Sequence, residues 1–137
     1  ETRAALENGY LALPGPFAGE TVALTLAMPA CRCYASARVK EDVGRVCVMK
    51  GPVVYCLEEA DNGRGLHRLS LPADAALTQA EDDNITVMGK RLAATAEEPL
   101  YSRAGPAEPE ITTLTFIPYY RWANRGENEM TVWVREG

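Results

Sequence analysis

A chain of 137 residues, 47% of them apolar and 24% charged, is one domain's worth of globular sequence. Its 14 basic and 19 acidic residues leave a net charge of −5 with no basic stripe, which argues against nucleic acid as a partner. The longest apolar runs, Val46–Met49 and Val53–Leu57, fall far short of the roughly 20 residues that carry a helix across a membrane, so no membrane partner is expected.

The chain opens Glu1-Thr2-Arg3, without an initiator Met or a secretory pattern, and is therefore read as a piece of a longer polypeptide. Residues 1–20 serve as a lead-in. Val22, Leu24, Leu26 and Met28 then alternate with Ala23, Thr25 and Ala27, the period of two that a half-buried strand requires, and Pro29 ends the run. A second strand is expected over Cys31–Val39, because Cys31, Cys33, Ala35, Ala37 and Val39 share one face of an extended chain. Val46–Met49 and Val53–Leu57 follow as strands, separated by Gly51-Pro52, a bend or bulge signal.

Asp61-Asn62-Gly63-Arg64-Gly65 is a turn cluster, since Asn and Gly accept positive φ cheaply. Leu66–Leu71 reads as a strand stopped by Pro72, and residues 73–83 as a loop or a single helical turn. Ile85–Met88 and Arg91–Ala96 read as two short strands about Gly89. Residues 97–110, with Pro99, Gly105, Pro106 and Pro109, form a mobile loop. Ile111–Ile117 alternates cleanly, and Met130, Val132 and Val134 define the last strand. About eight short strands without a convincing amphipathic helix specify an all-β fold, an antiparallel β-sandwich of jelly-roll type, as a single domain over 1–137.

Chemistry is sparse. The one histidine, His67, lies on a presumed strand with no base, nucleophile or orienting partner implied by spacing. The doublets Glu58-Glu59, Asp82-Asp83 and Glu97-Glu98 point to opposite faces or sit in loops, where acids are ordinarily solvated. Cys31, Cys33, Cys47 and Cys56 lack the spacing of a structural zinc site and read as small apolar core residues. A disulfide, for which Cys47 and Cys56 lie on pairable strands, and a metal site remain alternatives. Tyr119, Tyr120 and Trp122, with Asn124 and Arg125 beside them, form the densest informative stretch. Such a cluster can stack on sugar faces or anchor an interface, and packing or an interface is the favoured reading. No catalytic and no metal-ligating residue is assigned.

Three blocks together carry a resemblance: Gly51-Pro52-Val53-Val54-Tyr55-Cys56-Leu57-Glu58, Leu71-Pro72-Ala73-Asp74, and Ile117-Pro118-Tyr119-Tyr120-Arg121-Trp122-Ala123-Asn124-Arg125-Gly126 with Glu129-Met130-Thr131-Val132-Trp133. In order and spacing they resemble the C-terminal region of glycoside hydrolase family 127, which contains β-L-arabinofuranosidases. The resemblance implies an upstream (α/α)₆ barrel holding the active site, with a glutamate acid/base and a zinc-bound cysteine nucleophile beside a second cysteine. Adjacent cysteines do not occur here, so no zinc or nucleophilic role passes to these four and no cofactor is expected in this stretch. What is implied for this chain is a non-catalytic β-sandwich that braces the barrel and takes part in homodimer contacts. A carbohydrate-binding module is the alternative. Free thiols fit a cytoplasmic setting.

Overall fold

The computed structural model describes residues 6–13, 15, 17–19, 21–94 and 99–137. Strands dominate and the sheets are mainly antiparallel, so the class is all-β, as the alternating patterns require. A small hairpin comes first, β1 (Leu6–Glu7) against β2 (Tyr10–Leu11), turning through Asn8-Gly9 with both residues at positive φ. The main sheet contains β3 (Ala30–Cys33), β4 (Arg45–Lys50), β5 (Val53–Glu58), β6 (Leu69–Leu71), β7 (Thr78–Gln79), β8 (Ile85–Arg91), β9 (Glu110–Pro118), β10 (Met130–Thr131) and β11 (Val134–Glu136).

Six of these strands close on themselves. β5 pairs with β9, β9 with β8, β8 with β6, β6 with β11, β11 with β4, and β4 again with β5. Only β6–β11 is parallel. The closing contact is short: β4 and β5 pair at Met49–Val54 and Lys50–Val53, across the Gly51-Pro52 turn, and then diverge. Beyond that point Cys47 faces Cys33 on β3, while Cys56 faces Ile117 on β9. The two layers expected of a sandwich are thus continuous through β4 and β5.

Inside the ring lie Val46, Val48, Tyr55, Leu57, Leu66, Leu69, Leu71, Ile85, Val87, Leu114, Phe116 and Val134, all buried. Alternation explains the choice. Val46 and Val48 turn inward from β4, Leu114 and Phe116 from β9, and the residues between them face out.

Several expected elements are redrawn. No strand forms over 21–29, and Val22, Leu24, Leu26 and Met28 are exposed, because no described strand runs alongside to supply a hydrogen-bonding ladder. The strand expected over Cys31–Val39 stops at Cys33, where its pairing with β4 ends, and a turn follows in which the Val39 N–H donates to the Ser36 carbonyl at 2.8 Å. Leu66–Arg68 is a 3₁₀ turn, so exposed His67 is not on a strand. Two strands were expected about Gly89; β8 instead runs straight through it. A Cβ at residue 89 would stand 2.4 Å from Leu114 Cδ1, so the missing side chain is what lets the strand continue. Of the strand expected over Arg91–Ala96, residues 95 and 96 lie outside the described residues, as do 97 and 98 of the expected loop. Residues 99–109 form neither helix nor strand. The last strand divides at Val132-Trp133 into β10, paired to β5, and β11, paired to β4 and β6.

Candidate functional site

Strand β9 ends at Pro118 and the chain enters a 3₁₀ turn, Tyr119–Arg121. Three residues per turn carries Trp122 round to the side of Tyr119. All three aromatics meet solvent, Tyr119 by 45%, Tyr120 by 63% and Trp122 by 37%. Arg121 lies over the Tyr120 ring, 5.9 Å from its centre, and donates to the Asp82 carbonyl. Tyr55 donates from below to the Asp83 carbonyl at 2.9 Å, and burial followed by the Asp83 charge pushes its phenol up to about 12. Lys50 Nζ holds the Asp83 carboxylate at 2.5 Å. Asp82 and Asp83 both sit at positive φ, so these bonds fix a turn that its own residues disfavour. The aromatic turn therefore rests on a rigid base.

Asn124 is exposed, whereas Arg125 folds back onto the domain. Its guanidinium grips Asp61, with Nη1–Oδ1 at 2.7 Å and Nη2–Oδ2 at 2.5 Å, and also pairs with Glu58. Glu58 is fully buried, which corrects the expectation of a solvated Glu58-Glu59 doublet. Strand β5 ends there, and a single turn of helix, α1 (Glu59–Asn62), leaves at the point where Glu58 still faces the protein. Glu58 Oε1 accepts from the Ala123 N–H at 2.9 Å and from Asn128 Nδ2 at 3.2 Å. Burial pushes the Glu58 carboxyl up, and the hydrogen bonds from Arg125, Ala123 and Asn128 outweigh it, holding the group below its ordinary value. An acid already ionised and bonded on both oxygens has no proton to give a leaving group.

Asn62 extends the same hub. Its Nδ2 donates to the Glu58 carbonyl at 3.0 Å and the Thr115 carbonyl at 2.9 Å, and its Oδ1 accepts the Thr115 N–H at 2.9 Å. Glu129 Oε2 accepts the N–H groups of Gly65 and Leu66, and Glu59 accepts the Glu129 N–H. His67 and Trp133 line an open groove of about 640 Å³ beside Glu129. Sequence reasoning did not single out Asn62 or Asn128, and it read Glu58 as surface. The signal was present in part, because Glu58 closes one family-like block and Arg125 falls at the end of another, whereas Asn128 lies in the gap after it.

Among the described residues no three His, Cys, Asp or Glu side chains are placed to hold a metal ion. Cys31, Cys33 and Cys47 gather on β3 and β4, while Cys56 is buried on β5 two residues before Glu58. The zinc that the family resemblance implies is not fitted by these residues.

The class that the fold defines is a closed all-β domain, in which Glu58, Asp61, Asp83 and Glu129 are engaged by the chain's own donors. The model of the glycoside hydrolase family 127 C-terminal domain matches residues 30–135, and the chain belongs to that family. It is 39% identical, over 95% of its length, to the non-reducing end β-L-arabinofuranosidase of Bifidobacterium longum, and spans 22% of that protein. Of solved structures, a GH127 β-L-arabinofuranosidase from Geobacillus stearothermophilus T6 superposes with a TM-score of 0.76 at 42% identity, covering 80% of this chain and 18% of that one. A second GH127 β-arabinofuranosidase gives 0.64 at 33% identity, covering 80% and 17%.

Proposed function

We propose that this chain is the non-catalytic C-terminal domain of a β-L-arabinofuranosidase-like glycoside hydrolase, bracing an upstream catalytic barrel and contributing to dimer contacts. One observation carries the reading. Val22, Leu24, Leu26 and Met28 hold the periodicity of a half-buried strand yet stand exposed, Leu24 and Leu26 by 64% each. An alternating apolar segment beside a complete barrel is built to add to another sheet or surface. The surface area agrees: 10215 Å² for 14.9 kDa, against roughly 7,000 Å² for a compact monomer of that mass. Family membership, and the fifth of the curated relative's length that the chain spans, support the remaining polypeptide of a longer chain as the covering partner.

The experiment separates the domain from the chemistry. The chain alone is assayed on an aryl β-L-arabinofuranoside, and is then mixed with the upstream polypeptide expressed separately. No turnover by the chain and stable association between the two pieces are expected. Leu24→Asp with Leu26→Asp abolishes the association while leaving the circular dichroism of the chain unchanged. Turnover by the chain alone ends the proposal. So does association indifferent to Leu24 and Leu26.

A second reading rests on the exposed Tyr119, Tyr120 and Trp122, which suit the flat faces of a furanoside as well as a protein surface. It makes the domain a carbohydrate-binding module. Tryptophan fluorescence that changes saturably with arabino-oligosaccharide, and is lost in Tyr120→Ala, supports it; a flat response at millimolar sugar removes it. Free thiols at all four cysteines support a cytoplasmic setting for the protein. No helix of the described residues is long and apolar enough to cross a membrane.

A further inference from the structure

Four sulfurs share one face of the β3–β4 ladder. Cys31 and Cys33 are two residues apart on β3 and point the same way, and the register sets Cys33 opposite Cys47 and Cys31 opposite Met49. Val46 and Val48, which alternate with Cys47 and Met49, belong to the barrel core, so the sulfur face is the outer one. Access is graded across it: Cys31 is exposed, Cys33 half-buried and Cys47 buried.

Directly opposed residues of an antiparallel pair have Cα atoms about 4.5 or 5.5 Å apart, according to which kind of pair they form. Both values fall inside the roughly 4.4–6.8 Å span of a disulfide. Cys33 and Cys47 alone meet that condition. Cys31 faces a thioether, and its neighbour Cys33 lies about 7 Å along the same strand. Burial, and then the adjoining Cys33 sulfur, push the Cys47 thiol up to about 11, which makes it slow to attack an outside reagent. Cys56, on β5 opposite Ile117 of β9, has no cysteine across from it.

We propose that Cys33 and Cys47 are a reversible dithiol pair, oxidised to a cross-strand disulfide by low-molecular-weight disulfides. The Cys33 thiolate attacks one sulfur of the small disulfide, forming a mixed disulfide and releasing one small thiolate. Cys47 then gives its proton to that thiolate and attacks Cys33 Sγ, expelling the second small thiolate, which takes up the proton that Cys33 released to solvent on ionising. Two protein thiols lose two electrons and the reagent gains them, becoming two thiols. The bond fastens edge strand β3 to β4, and with it the root of the exposed segment 21–29.

The test exposes the whole polypeptide to glutathione buffers of increasing oxidised fraction, followed by acid quench, alkylation after denaturation and peptide mass mapping. A linked Cys33–Cys47 peptide, two hydrogens lighter and restored by dithiothreitol, is expected, with Cys56 alkylated throughout. Cys47→Ser should leave a stable glutathionyl adduct on Cys33, and Cys31→Ser should leave the link intact. Should Cys47→Ser fail to fold, Cys33→Ser serves: the linked peptide is absent and Cys47 is recovered alkylated. Adducts confined to Cys31, a link from Cys31 to another cysteine, or full alkylation of Cys33 and Cys47 in the most oxidised buffer would overturn the proposal.

Discussion

At Glu58 a charged group sits where water cannot reach it, and its cost is met by three donors from a loop 65 to 70 residues away in sequence. Ala123, one of the donors, holds φ at +62°, a conformation that costs an alanine about 1 kcal/mol, so the bond to Glu58 and the shape of the loop depend on each other. Glu58→Ala should lower the unfolding free energy by about 2–3 kcal/mol, as buried donors lose their acceptor; urea titration followed by fluorescence measures it. The pH dependence has a definite sign. The folded carboxyl titrates below its ordinary 4.5, so the unfolded chain binds the proton first, and the stability that Glu58 contributes is full above pH 4.5 and drains away as pH falls through the folded value. Glu58→Gln should flatten the fall in melting temperature below pH 4.5 measured by scanning calorimetry, and a curve parallel to wild type would refute the assignment. None of this was legible from composition, because an acid's burial depends on partners that the fold alone brings together. The aromatics were legible as a cluster, since adjacent positions need no fold to be neighbours.

Strands announced themselves by period where a partner strand was available. Ile111–Ile117 and Val53–Leu57 gained one residue or so at their ends and were otherwise as the alternation predicted. Val22–Met28 has an equally clean pattern and forms no strand, which shows that period two records a preference for two-sided surroundings and not the presence of a neighbour. Gly89 misled in the opposite direction. Its lack of a Cβ was read as a break, whereas β8 and β9 use the gap to bring Leu114 against the strand. Gly89→Ala should therefore destabilise the domain by about 1–3 kcal/mol despite a better strand propensity, and Gly89→Ala with Leu114→Ala should recover part of the loss. Additive losses in denaturant melts would show that the two sites do not touch.

For the molecule as a whole, the all-β class followed from the sequence but the closure of the wall did not, because the order of strands is set by contacts that no local window contains. The parallel pairing of β6 with β11 is such a contact, and β11 sits between β6 and β4, paired to both. Deleting residues 132–137 should open the wall and expose Val46 and Leu69, giving a chain that binds an apolar dye and melts without a cooperative transition. A sharp melt in the truncated chain would show that β11 is dispensable. The same placement governs how the chain is made. β4 leaves the ribosome early and must wait for β11, which at about 5–20 residues per second is a delay of roughly 4–18 s. For that interval the nascent chain carries Val46 and Val48 on a strand with one side bare, a substrate for holding chaperones, and slowing translation between β9 and β11 lengthens the exposure.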